Sequence, residues 1–265
     1  MTELGTKTGQ LRSGDLLNAQ LLVKAHGDDL RYAPGLGWLC WDGRRWARDE
    51  REVERRAKQV VLSLYGMAAH VPEIERDDWL SHCRRSERAV AIAAMVRLAT
   101  SERNVSATAA ELDAHSFLLA AQNGTVDLRD GSFREHRRAD LITRLAGAIY
   151  DPDATHPVWD RFLEQATGGD KELERFLARA AGYSLTGSTA EECFFFVHGS
   201  GGSGKSTFVS ALTASFASTP RSPTSRRSFA AAVMQACGMT SPGSPARAWS
   251  SLPSSTRDGT SANRC

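Results

Sequence analysis

Helical and strand periodicities alternate along this chain and divide it into readable segments. Leu16, Leu17, Leu21 and Val23 form an apolar stripe behind Ser13, which predicts a helix capped by Ser13 and stopped by Gly27. Gly37-Trp38-Leu39-Cys40-Trp41, Asp42-Gly43 and Arg44-Arg45-Trp46 then read as a β-hairpin, since Asp-Gly is favoured where both turn residues need positive φ. From Arg51 to Tyr65, Val53, Ala57, Val60, Val61 and Leu64 fall on one side and Arg51, Glu52, Arg55, Arg56 and Lys58 largely on the other. That is an amphipathic helix, with Gly66 expected to end it. An alanine-rich stretch around Met95 predicts another helix from about Arg88 to Leu98.

The pattern turns to strands between Phe117 and Glu135. Leu118 to Ala121 lead into Asn123-Gly124, and Thr125 to Leu128 and Phe133 flank an Asp130-Gly131 turn, so a small paired sheet is expected. Two helices follow, one from about Pro157 through Leu163 and one from Asp170 through Leu177, with Gly182 to Gly187 as the connection onward. Cys193-Phe194-Phe195-Phe196-Val197 is continuously apolar between Glu191-Glu192 and a glycine-rich stretch, the signature of a buried parallel strand. Phe208, Val209, Leu212 and Phe216 then recur at roughly helical spacing.

Between that strand and that helix lies GSGGSGKS, Gly199 to Ser206, which satisfies the phosphate-loop pattern G-x-x-x-x-G-K-S/T. Gly199, Gly201, Gly202 and Gly204, with Ser200 and Ser203 between them, let the backbone curl and aim N–H groups at phosphate oxygens. Lys205 is suited to the β- and γ-phosphates and Ser206 to Mg²⁺ bound with ATP, while Thr207 continues the helix whose positive end faces the same anion. The alternative, a flexible Gly/Ser linker that happens to contain lysine, does not account for the flanking strand and helix.

After Ser206 the only acidic residue is Asp258, and it follows Ser254-Ser255-Thr256-Arg257 instead of an apolar run. A second metal-holding motif is therefore not expected, and no catalytic residue is assigned. From about Ser218 the composition changes to Ser, Pro, Arg, Thr, Ala and Gly, which predicts a disordered tail over 217–265. A natural tail and a reading-frame change both explain it. The frame change is favoured, because a phosphate-loop strand and helix without neighbouring strands leave an apolar run uncovered.

Composition narrows the picture further. The 41% apolar and 24% charged content is that of a soluble globular chain with room for one large or two modest domains. A net charge of +2 gives no global argument for nucleic acid. Cys40, Cys83, Cys193, Cys237 and Cys265 form no C-x-x-C pair, which suits a reducing compartment, and His82-Cys83 reads as a buried thiol beside a surface imidazole rather than a metal site. The first 13 residues are expected to be flexible; with no apolar signal segment and no membrane span, the expected location is cytoplasmic. Locally, Trp38 and Trp46 with Arg44, Arg45, Arg55 and Arg56 would make a DNA-contacting basic edge. Core packing of the tryptophans and solvated arginines is the favoured alternative. Asp127, Asp130 and Glu135 sit at alternating or turn positions and read as structural.

Several ordered motifs add a family resemblance. NGTVDLRDG at Asn123 to Gly131, YDPDATHPVWDRFL at Tyr150 to Leu163, FLARAAGYSLTG at Phe176 to Gly187 and FFFVHGSGGSGKST at Phe194 to Thr207 together resemble phage and plasmid primase-helicases. WLCWDGRRW at Trp38 to Trp46 is similar to the start of the accessory domain in those proteins, related to the poxvirus primase-helicase. The resemblance covers roughly residues 14 to 216 and implies a superfamily 3 helicase, an AAA-type ATPase using ATP and Mg²⁺, with DNA as partner and a homo-hexameric ring. It implies an α+β accessory domain, mostly helical with small β-hairpins, over 14–187. The first strand, phosphate loop and helix of an α/β ATPase domain would follow over 188–216. On this reading the chain is a truncated replication helicase. The rival is a non-enzymatic DNA- or replisome-binding module; a nucleoside or small-molecule kinase explains the loop but not the upstream motifs.

Overall fold

The computed structural model describes residues 13–216, and these form a mixture of helices and small antiparallel sheets, an α+β arrangement. The expected flexible N-terminus, apart from Ser13, and the expected disordered tail lie outside the described residues. The described residues form two compact units, the first built from 13–115 together with 136–144, the second from 116–135 and 145–216.

In the first unit, helix α1 (Asp15–His26) ends at Gly27 as expected, but its N-cap is Gly14, at φ 124°, and no side chain caps it. The expected Ser13 cap is thus corrected. The buried face is Asn18, Ala19 and Leu22 while Leu16 is exposed, because the buried amide of Asn18 finds polar partners inside. Its Nδ2 donates to Ser86 Oγ at 2.9 Å, and its Oδ1 lies 3.1 Å from His82 Nε2. Strands β1 (Leu30–Ala33), β2 (Gly37–Trp41) and β3 (Trp46–Arg48) follow, pairing antiparallel in chain order with Leu30 opposite Cys40 and Trp41 opposite Trp46. The hairpin is present, but its turn differs from the two-residue form. Asp42 Oδ1 accepts from the backbone of Arg44 and Arg45 at 2.8 and 2.9 Å, and within Asp42 to Arg45 only Gly43 has positive φ.

Helix α2 (Glu50–Met67) is capped by the Asp49 carboxylate, which accepts from Glu52 N, and buries Val53, Ala57, Val60, Val61 and Leu64 as its periodicity predicts. Gly66 does not stop it. The helix passes through that glycine and unwinds through a 3₁₀ turn to Val71, whose extended backbone precedes Pro72. Helix α3 (Arg76–Ser86) has no counterpart in the sequence expectations, and α4 (Ala89–Ala99) matches its predicted span closely. Trp79 anchors α3, donating its indole N–H to Leu64 O at 2.9 Å. His82 is as buried as Cys83, so the expected surface imidazole is corrected: Asn18 supplies the partner that lets it go inside. Residues 136–144 lie against the hairpin, where Ile142 O receives Trp46 N and Arg138 O receives the Trp46 indole N–H at 2.9 Å.

In the second unit, β4 (Leu118–Ala120), β5 (Thr125–Asp127) and β6 (Phe133–Arg134) form the expected small antiparallel sheet. Gly124 is required there by close approach, since a Cβ would lie 2.5 Å from both Arg134 O and the Phe133 ring. Asn123 clasps Tyr150 by two hydrogen bonds, donating to its carbonyl and accepting from its N–H. Helix α5 (Pro157–Thr167) starts at a proline and ends at left-handed Gly168. Helix α6 (Lys171–Leu185) is capped by Asp170 and continues through Gly182 to Leu185, farther than expected. Helix α7 (Lys205–Phe216) closes the described chain, with Phe208 and Ala211 packed against Trp159, Leu163 and Ala181.

The expected strand at Cys193 to Val197 is corrected. These residues carry no assigned strand and are exposed, because a strand requires a hydrogen-bonded neighbour and none lies alongside among the described residues. No helix among the described residues is long and apolar enough to cross a membrane.

Burial, then the charge of Arg85, lowers the His82 pKa from its ordinary 6.5, with Asp15 opposing; burial followed by Arg56 does the same to His26. A histidine whose folded pKa is lowered contributes fully above about pH 6.5 and loses that contribution as pH falls, because the unfolded chain takes up the proton first. Thermal unfolding followed across roughly pH 5 to 8 is expected to show stability falling below about pH 6.5, by at most about 1.4 kcal/mol per pH unit for each histidine. His82→Gln is expected to flatten the profile.

Candidate functional site

The segment Gly199 to Ser206 is a tight loop leading straight into α7. Gly199, Gly202 and Gly204 have φ of 145°, 77° and 84°, conformations that side-chain-bearing residues rarely adopt. Gly204 is constrained a second way, since a Cβ would meet the Phe162 ring at 2.9 Å and Ala166 Cβ at 3.4 Å. Lys205 folds back into the loop, its Nζ donating to Gly199 O at 3.0 Å, Ser200 O at 2.7 Å and Ser203 Oγ at 3.0 Å. Ser206 and Thr207 are exposed in the first turn of α7, which carries no acidic residue there. Gly201 has open space around its missing Cβ.

The arrangement gathers the predicted loop residues around one ammonium group at a helix N-terminus. Such a terminus carries partial positive charge and orphan N–H groups, which together favour an anion. Behind the loop, Trp159 stacks on Phe162 at 5.1 Å and on Phe208 at 5.8 Å between ring centroids. This stack ties α5 to the first turns of α7 and was not anticipated as part of the site. The signal was present in the aromatic spacing of VWDRF, but nothing in a single sequence says that Phe208 meets it.

The residues of the basic edge are placed differently. Trp38 and Trp46 are buried and belong to the core, in agreement with the favoured packing alternative. Neither ring presents a face for a base. The Arg31 guanidinium lies 4.7 Å from the Trp46 ring centroid. Arg45 pairs with Asp42 at 3.7 Å and donates to Thr143 O. Arg55 pairs with Glu52 at 2.9 Å and Asp49 at 3.8 Å, and Arg56 with Glu52 at 3.0 Å and Asp29 at 3.6 Å. Arg44 is exposed at the hairpin turn. Acidic partners thus answer most of this charge.

The remaining polar candidates are structural. Asp127 binds the backbone and guanidinium of Arg129, whose hydrogen bond chiefly holds its pKa below the ordinary carboxylate value, and Asp130 accepts from Ser132 N in the next turn. Burial pushes the Cys40 thiol up to about 11, and burial also raises Cys83, so neither is poised as a nucleophile. Among the described residues, no group of three His, Cys, Asp or Glu side chains is arranged to hold a metal ion.

Residues 19–168 match the family model described as D5 N terminal like, more than half of the chain. A protein of Acanthamoeba polyphaga mimivirus named "Putative helicase" is 30% identical over 105 residues. That match takes in 38% of this chain and 11% of the viral protein.

The ion pairs predict unequal consequences for neighbouring arginines. Arg56, with a side chain only 14% exposed, is expected to cost about 1 to 3 kcal/mol of unfolding free energy when changed to alanine, because Glu52 and Asp29 lose a half-buried partner. Arg48→Ala, in an exposed pair with Glu50, is expected to change stability by less than about 0.5 kcal/mol. Urea denaturation of the two variants measures the difference.

Proposed function

We propose, from the premise that this chain belongs to the D5 N terminal like family, that it is the accessory region of a phage- or plasmid-type DNA primase-helicase joined to the nucleotide loop of its motor. The parent activity on this reading is unwinding of DNA coupled to ATP hydrolysis by a superfamily 3 ring, usually a hexamer. The observation that carries the nucleotide part is the loop itself: three glycines at positive φ, with Lys205 bedded among loop oxygens at the start of α7. The viral relative's printed name supports the helicase part.

In this reading the phosphates of ATP take the place of the loop's own oxygens around Lys205 Nζ. Main-chain N–H groups of residues 199–205 and the helix terminus complete the cradle. Ser206 would hold Mg²⁺, which neutralises phosphate charge when bound. Residues 207–257 contain no acidic residue, so the carboxylate that helps hold Mg²⁺ in the parent activity does not come from this stretch. The loop residues by themselves are expected to bind nucleotide without appreciable turnover. The rival reading, a DNA- or replisome-contacting module without enzymatic activity, shares the family premise and differs at the loop. In neither reading do Trp38 and Trp46 act as a stacking platform, because both are core residues.

Titration calorimetry with ATP and Mg²⁺ tests the proposal. Saturable binding is expected, weakened roughly ten- to a hundred-fold by Lys205→Ala, the range set by loss of a charged hydrogen-bond donor. Phosphate release is expected to stay at background with or without DNA. Binding that is absent, or indifferent to Lys205→Ala, contradicts the nucleotide reading and leaves the non-enzymatic module.

A further inference from the structure

Helix α5 is the last helix inside the matched residues 19–168, whereas the glycine-rich loop lies beyond them; both belong to the second compact unit and meet within it. The meeting has two points. At the first, the edge of the Phe162 ring abuts the main chain of Gly204, where a Cβ would lie 2.9 Å from Phe162 Cε2 and 3.2 Å from its Cζ. At the second, Trp159 stacks on Phe208 with centroids 5.8 Å apart and planes 12° from parallel. Trp159 and Phe162 share one face of α5 at i and i+3 and stack on each other at 26°, so the two points form one surface. Trp159 is itself buried, in a cluster with Leu163, Ala181 and Phe208.

On the α7 side, Gly204 and Phe208 are one turn apart and joined by a helix-opening hydrogen bond, Phe208 N–H donating to Gly204 O at 2.9 Å. Helix α5 therefore holds both ends of the turn that contains Lys205, Ser206 and Thr207, and it leaves the last two exposed. A glycine at φ 84° has other conformations open to it, and the ring edge closes some of them from one side. Oriented N–H groups hold an anion only while the backbone keeps its shape. A loop in shape for about a tenth of the time binds roughly ten-fold more weakly than one always in shape.

We infer that Phe162, backed by Trp159, is a positioning residue of the nucleotide site, one that sets the affinity for ATP through Gly204 without touching ATP. The inference rests on the nucleotide reading of the loop. It makes the last helix of the family-matched region part of the scaffold of that loop.

Phe162→Leu separates positioning from plain core filling, because leucine keeps an apolar side chain in the cluster but lacks the Cε2 and Cζ atoms that abut Gly204. Leu177→Ala is the comparison, since it thins the same cluster from α6 and is not among the neighbours of Gly204. In the nucleotide-free full chain, amide hydrogen exchange of peptides covering residues 199–207 is expected to quicken several-fold in Phe162→Leu and to stay near wild type in Leu177→Ala. In titration calorimetry with ATP and Mg²⁺, Phe162→Leu is expected to bind about ten-fold more weakly and Leu177→Ala to stay within about two-fold of wild type. Loop exchange that Phe162→Leu leaves unchanged, or that Leu177→Ala quickens as much, overturns the inference. ATP binding that is weakened by Lys205→Ala but not by Phe162→Leu overturns it too, and leaves the nucleotide reading standing. A wild-type chain that binds no ATP contradicts the nucleotide reading, and the exchange measurement then decides alone whether Phe162 positions the loop.

Discussion

Asn18 sits without solvent exposure in the middle of α1, where an unpaired amide would cost about 1 to 3 kcal/mol. Its contacts with Ser86 Oγ and His82 Nε2 remove that penalty and fix α1 against α3 in one register. Ser86 in turn donates to His82 O, so the three residues close a small buried network. The same constraint recurs at two buried indoles of the first unit. Trp79 reaches Leu64 O and Trp46 reaches Arg138 O, each indole bringing a large apolar surface into the core only with its N–H answered. Apolar burial drives the packing, and these directional contacts choose which packing it is.

The second unit applies a different constraint, the space left by a missing side chain. Gly204 lets Phe162 approach the loop, and Trp159 carries that contact onward to Phe208 on α7. The loop's curvature and the helix that follows it are thereby set by one aromatic stack on α5. An anion site needs this kind of fixed backbone, because oriented N–H groups bind charge well only when they need not reorganise. The lysine clasp within the loop keeps that shape by internal hydrogen bonds.

Legibility in the sequence followed the range of the interaction. The buried face of α2 could be read residue by residue, since five apolar positions repeat at helical spacing over an 18-residue helix. Helix α7 after the glycine-rich stretch was legible for the same reason, being local. Helix α3 was not, because Trp79, Leu80 and Cys83 are too few apolar residues among Arg, Asp and Ser to make a stripe. Strand β1 spans only Leu30–Ala33 and acquires its identity from pairing with β2. His82 reads as a surface residue because it is buried by virtue of Asn18, 64 positions away. At Cys193 to Val197 the opposite failure occurred: the residues have strand character, but strand structure belongs to a pair.

The central claim is that residues 199–207 form a nucleotide site on a helicase-related chain, and amide hydrogen exchange with and without ATP and Mg²⁺ tests it where it is made. The account predicts slower exchange confined to peptides covering the loop and the first turn of α7, and no such slowing in Lys205→Ala. Unchanged exchange in those peptides at saturating nucleotide, or protection appearing only around the Trp38 to Trp46 hairpin, would contradict it.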